Sequence, residues 1–182
     1  MTKLSLHEQS LLKKIAHNSI QHGLDYQGPL VPVLSDYPPT LTQKGASFVT
    51  LTKQKQLRGC IGTLEAYQPL IQDVAHNAFE SAFGDSRFPA LEAAEWADIS
   101  IEISVLSAPE AVFFPTEQAW LDAVVPHEAG WILKDGRRRA TFLPQVWEML
   151  PNPADFLSHL KQKAGIEASV WPKTYRYTCQ HF

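Results

Sequence analysis

Two cysteines, Cys60 and Cys179, are all that the 182-residue chain contains. That is too few for the disulfide scaffold of a small secreted domain, although it leaves a single Cys60–Cys179 bridge open. No apolar run approaches the roughly 18 residues of a membrane span. Residues 1–14 are polar and charged, without the apolar stretch of a secretory leader. Positive charge is also scarce: 16 Lys and Arg against 19 Asp and Glu give a formal charge of -3 and a pI near 6.1. Nothing in that balance draws the chain to nucleic acid or to anionic lipid. The one basic cluster, Arg137-Arg138-Arg139, follows an Asp135-Gly136 turn and reads as a solvated hairpin edge. Missing as well are a phosphate loop, a dinucleotide fingerprint, a Cys-x-x-Cys pair and a Gly-x-Ser-x-Gly elbow. The expectation is a reduced, cytoplasmic protein with no nucleic-acid or membrane partner and no evident cofactor.

What is present is an ordinary globular composition, 45% hydrophobic and 19% charged, with five Trp, five Tyr and nine Phe. Ser5 and Glu8 form a capping-box pattern ahead of Leu11, Leu12, Ile15, Ala16 and Ile20 at helical spacing. Residues 28–45 hold four prolines and read as an extended connection. Residues 46–63 read as a hairpin with a Gln54-Lys55-Gln56 turn, and Pro69 to Phe83 as a helix ended by Gly84. Ile99 to Val105 alternates strictly, with isoleucine and valine on one face and Ser100, Glu102 and Ser104 on the other. The second half repeats this order. A hairpin turns at Asp135-Gly136, a helix starts at Asn152-Pro153 and stops at Gly165, and a strand runs from Tyr175 to Phe182. The pattern predicts an α+β, two-lobed single domain over 1–182. Its halves, about 1–107 and 108–182, would each contribute a hairpin, helix and strand to a curved mixed sheet.

Leu57-Arg58-Gly59-Cys60-Ile61-Gly62 carries the most chemistry. Strand alternation would put Arg58, Cys60 and Gly62 on one face and Leu57, Gly59 and Ile61 on the other. A guanidinium beside a thiol favours thiolate, and the glycines would let a ligand come close. The plainer reading makes Cys60 a small buried hydrophobe and the glycines a bulge.

These six residues, with Gly45-x-x-Phe48-Val49-Thr50-Leu51 before them, resemble the signature of the AMMECR-domain family. Asp85-x-Arg87-Phe88-Pro89, Ile101 to Leu106, Thr141 to Trp147, Phe156-Leu157 and Lys163-Ala164-Gly165 match its later blocks in order. The least similar parts are the proline-rich loop and residues 108–128. The resemblance implies an α+β fold with two unequal lobes. It also implies an association, in the AmmeMemoRadiSam system, with a radical SAM protein and a Memo-like protein. It supplies no reaction. Lacking a three-cysteine cluster, the chain is not itself the radical enzyme.

The candidate site is therefore Cys60 with Arg58, joined by Glu102 if its strand lies alongside; a structural Arg58–Glu102 pair is the competing reading. Gly59, Gly62, Asp85 and Arg87 are candidate binding residues, Asp85 and Arg87 because Pro89 holds their loop extended. A cap at the helix end is the plainer role for that loop. Asp73, His76, Asn77 and Glu80 read as a solvated helix face rather than a metal site. A histidine partner for Cys60 would come from His76, His127, His159 or His181, and sequence does not choose among them. Two functions remain in play. One is a module binding a small molecule, peptide or partner protein; the other is a thiol-dependent enzyme or covalent carrier built on Cys60.

Overall fold

The computed structural model describes residues 3–182. Helix α1 (Leu6–Tyr26) begins at the expected capping box. Ser5 Oγ accepts from the Glu8 N–H, and the Glu8 carboxylate accepts from the Ser5 N–H at 2.7 Å. The connection after it is less extended than its prolines suggest, because Pro39 starts a short helix, α2 (Pro39–Thr42). Then come β1 (Lys44–Lys53), β2 (Gln56–Gly62), β3 (Gln68–Pro69), α3 (Leu70–Phe83) and β4 (Ile99–Leu106). The second half holds β5 (Glu110–Val112), α4 (Glu117–Ala123), β6 (Gly130–Asp135), β7 (Arg138–Phe142), α5 (Pro153–Ala164), β8 (Lys173–Tyr177) and β9 (Cys179–His181).

The fold is α+β. The strands form two sheets rather than the single expected one, and the sheets are antiparallel rather than mixed. The first runs β2-β1-β4-β9, with β3 paired to β1; the second runs β5-β8-β6-β7. Hairpins are antiparallel by construction, and β4 returns antiparallel beside β1. The predicted last strand breaks at Thr178. Its first part, β8, joins the second sheet, and β9 joins the first, where Phe182 and Ile103 exchange backbone hydrogen bonds of 2.9 and 3.1 Å.

The chain divides into two compact units. One runs through Leu106 and takes back Gln180–Phe182; the other is Ser107–Cys179. In the first, Leu12, Ile15 and Ile20 of α1 and Val74, Ala75 and Ala78 of α3 bury against Val49, Leu51 and Ile103 of the sheet. In the second, Phe156, Leu157 and Leu160 of α5 pack with Trp120, Trp131, Leu133 and Trp147. Helix α5 is capped as its sequence predicts. Asn152 Oδ1 accepts from the Ala154 N–H, and Gly165 ends the helix at φ 68°.

One face of α3 departs from expectation. Asp73 and Asn77 are buried, not solvated. The Asp73 carboxylate accepts from the Ser47 N–H and hydroxyl, the Thr63 hydroxyl and the Asn77 amide at 2.7–3.0 Å. The helix thus presents a polar seam to β1, satisfied entirely by hydrogen-bond donors.

Candidate functional site

The register places three of the relevant side chains in one row. Thr50 of β1 stands opposite both Cys60 of β2 and Glu102 of β4. Directly opposed residues share a face. That face is turned away from α3, since the intervening Val49 and Leu51 are fully buried in the helix-side core. The next row holds Gly62, Phe48 and Ser104. His181, on β9, bonds the Ser104 hydroxyl through Nδ1 at 3.1 Å, and its Nε2 lies 3.6 Å from Glu102 Oε2.

Cys60 is half-buried and its thiol is free, as is that of Cys179. Its sulfur accepts a hydrogen bond from the Thr50 hydroxyl at 3.3 Å. Because β2 is an edge strand, the outward backbone of Cys60 needs partners from elsewhere. Asp85 and Arg87 supply them. Asp85 Oδ2 accepts from the Cys60 N–H at 2.9 Å, and Arg87 Nη2 donates to the Cys60 carbonyl at 3.2 Å. The two are joined to each other through Arg87 Nε to Oδ1 at 2.9 Å and Nη2 to Oδ2 at 2.6 Å. This fork stands where a neighbouring strand would. The Arg87 guanidinium holds the Asp85 carboxyl well below the usual carboxylate range, and the Cys60 N–H works in the same direction against the cost of burial. Cys179 is a different thiol, pushed up to about 12 by burial.

Arg58 is not in the Cys60 row. The ladder shifts between Leu51 and Thr52, which pair with Gly59 and Leu57, so Arg58 is the extra residue of a β-bulge. Its side chain, 11% exposed, turns to Glu95, with Nε to Oε1 at 2.7 Å, and toward the Ala90 carbonyl. The Arg58–Glu102 pair, the competing reading of the sequence, does not form; Arg58 pairs with Glu95, and Glu102 lies beside His181. The guanidinium touching the Cys60 segment is that of Arg87.

The glycines serve packing. A Cβ on Gly59 would lie 2.0 Å from the Ser81 carbonyl oxygen, so the absence of one lets α3 come down on β2. Ser81 uses that approach: its hydroxyl accepts from the Ile61 N–H and donates to the Val49 carbonyl, both at 2.8 Å, bridging β1 and β2. A Cβ on Gly62 would lie 2.3 Å from the Phe48 ring. The space that the sequence suggested for a ligand beside these glycines is occupied by the protein.

The row therefore brings together Cys60, Thr50 and Glu102, with His181 beside Glu102. Cys60 and Glu102 are separated by two strand spacings, about 10 Å, and β9 lies one strand further, so no histidine on this face reaches the thiol. A ligand lying across the face could touch the thiol, the Thr50 hydroxyl and the Glu102 carboxylate together. Among the described residues no group of three or more His, Cys, Asp and Glu is placed to hold a metal, and no helix is long and apolar enough to cross a membrane. Sequence reasoning missed Thr50, Ser81 and Glu95. Only the alternation of residues 46–53 could have flagged Thr50; Ser81 and Glu95 carry no local signal.

The AMMECR1 family profile matches residues 13–182. A protein of Methanothermobacter thermautotrophicus is 35% identical over 98% of this chain and 95% of its own length. Protein MK0488 of Methanopyrus kandleri is 34% identical over 93% and 83%. The crystal structure of the uncharacterized protein PH0010 from Pyrococcus horikoshii superposes with a TM-score of 0.84 at 29% identity, covering 93% of this chain and 88% of that one. The extent of these matches, across the strands and helices that build the Cys60 row, places this chain in the AMMECR1 family.

Proposed function

We propose that this protein is a binding or accessory component of the modification pathway in which AMMECR-domain proteins are associated with a radical SAM protein and a Memo-like protein. Its ligand surface is the sheet face of Phe48, Thr50, Cys60, Glu102 and His181, suited to an extended small molecule or a peptide. The observation that carries this reading is the commitment of Arg58, the expected activator of Cys60, to Glu95. With no histidine of the same sheet face within reach either, the thiol has the surroundings of a contact residue rather than of an assisted nucleophile. Glu102 and His181 remain half-exposed, at 49% and 42%, and available to a ligand.

The test is titration of the purified chain with the radical SAM protein and the Memo-like protein of its own organism. Glu102→Gln should weaken the complex about tenfold, the size of one lost charge-assisted contact. Cys60→Ala should bind as the parent does. Binding that survives Glu102→Gln but fails in Cys60→Ala would overturn this reading.

A second reading, a thiol-dependent enzyme or covalent carrier, is favoured by one observation: the backbone of Cys60 is fixed on its outer side by Asp85 and Arg87 while the residue is only half-buried and its thiol free. A covalent adduct on Cys60, recovered by mass spectrometry after incubation with the pathway proteins, would support it.

A further inference from the structure

We infer that the second unit carries a separate binding site, for a small anion with a planar apolar body, in the groove between the ends of β5 and β8. The groove has a volume of about 350 Å³, and Phe113, Phe114, Trp171, Lys173 and Tyr175 are among the residues that line it. That size lies at the low end of small-molecule sites, roughly 300–1,000 Å³, and suits a body of one or two rings. Its inner wall is built in advance: Trp171 Nε1 donates to the Phe114 carbonyl at 2.8 Å, which fixes the indole. Its outer wall is Phe113, a residue 88% exposed. A phenyl ring exposed beside an aromatic-lined groove is a surface on which a planar apolar body can stack.

The charge of the occupant follows from the strand register. Lys173 stands at the groove and directly opposite Lys134, so two ammonium side chains are paired across the strands. Like charges opposed in this way weaken a sheet. An anion beside Lys173 and Lys134 relieves that repulsion. The alternative occupant, a peptide strand added to the free edge of β5, suits this edge poorly. The strand has only three residues and opens with Glu110, whose carboxylate lies 3.6 Å from Arg176; short charged edges resist strand addition. A lysine recognises anions as a point charge, so carboxylate and phosphate ligands are both admitted.

The test is an amide-shift NMR titration of the full chain with three probes: 2-naphthyl phosphate, naphthalene-2-carboxylate and the neutral naphthalene-2-methanol. Saturable shifts confined to residues 111–114 and 171–175 are expected. Both anions should bind about tenfold more tightly than the alcohol. Lys173→Gln should erase that difference, and Phe113→Ser should weaken all three probes. Both substitutions are of exposed side chains, so the remaining resonances should hold their positions. The relative affinities of the two anions report which anionic group the site prefers. Shifts scattered over the surface, an alcohol that binds as tightly as the anions, or no saturation by about 10 mM would overturn the inference.

Discussion

Gly59 leaves no room for a methyl group, because the Ser81 carbonyl oxygen lies 2.0 Å from where its Cβ would stand. That obstacle is backbone in the last turn of α3, which cannot swing aside as a side chain can. Gly59→Ala should cost about 2–3 kcal/mol as the helix is pushed off the sheet, read as a lower urea midpoint with an unchanged slope. The Ser81 bridge between the Ile61 N–H and the Val49 carbonyl would open with it. The Arg58–Glu95 pair gives a second prediction at this scale. With side chains 11% and 20% exposed, it lies between a surface pair and a buried one. Glu95→Gln, which leaves a guanidinium without its counter-charge in a nearly dry place, should cost about 2 kcal/mol. Replacing both partners with methionine should cost less than the sum of the single changes, and a thermal-denaturation cycle over the four proteins would measure the coupling. Strict additivity would remove the pair as a source of stability.

The elements that sequence reading placed correctly are those whose signals are local. The Ser5–Glu8 box, the Asn152 cap and the alternation of Ile99 to Val105 each lie within a few residues of the structure they specify. Reading failed where a distant partner decided. The bulge in β2 takes Arg58 out of register with Cys60, and alternation cannot foresee an extra residue. Asp73 and Asn77 look like a wet helix face until Ser47 is laid against them. The end of the chain reads as one strand because nothing local marks Thr178 as the point where it changes sheets. Of the candidate site, Cys60 and Glu102 were legible as strand residues facing one way, but Thr50 between them was not. The hairpin between β1 and β2 offers a prediction at this scale. Its turn residues Gln54 and Lys55 hold φ of 51° and 66°, the left-handed geometry that two-residue turns reserve for Asn and Gly. Each non-glycine residue there costs on the order of 1 kcal/mol. Replacing Gln54-Lys55 with Asn-Gly should therefore raise the melting temperature by several degrees, an increment of about 1 kcal/mol or somewhat more. An unchanged melting temperature would mean that the turn is not where the strand pairing is limited.

For the molecule as a whole, the response to acid should be set in part by Asp85. Its side chain is 3% exposed, and its carboxylate accepts from the Cys60 N–H, the Arg87 N–H and the Arg87 guanidinium. The guanidinium is the leading cause that holds its folded-state pKa below the usual value. In the unfolded chain the group titrates near 3.9, as a free aspartate does. Between these two values the unfolded chain binds the extra proton and the folded one does not, so stability rises with pH there. The contribution is fully present above about pH 4 and is lost as pH falls through the lower, folded value. Glu8 shifts in the same direction, led by its hydrogen bond from Thr40, so a Glu8→Gln background isolates Asp85. In that background Asp85→Asn should reduce stability at pH 7 by about 1–2 kcal/mol, a value discounted because the Arg87 side chain is 54% exposed. It should also flatten the decline between pH 5 and pH 2, which urea titrations at fixed pH steps would record. Both effects arise from one carboxylate that stands in for a missing strand at the edge of β2, so they should appear together. A decline as steep in Asp85→Asn as in its parent would place the acid sensitivity elsewhere and leave the fork at Cys60 a contact of geometry alone.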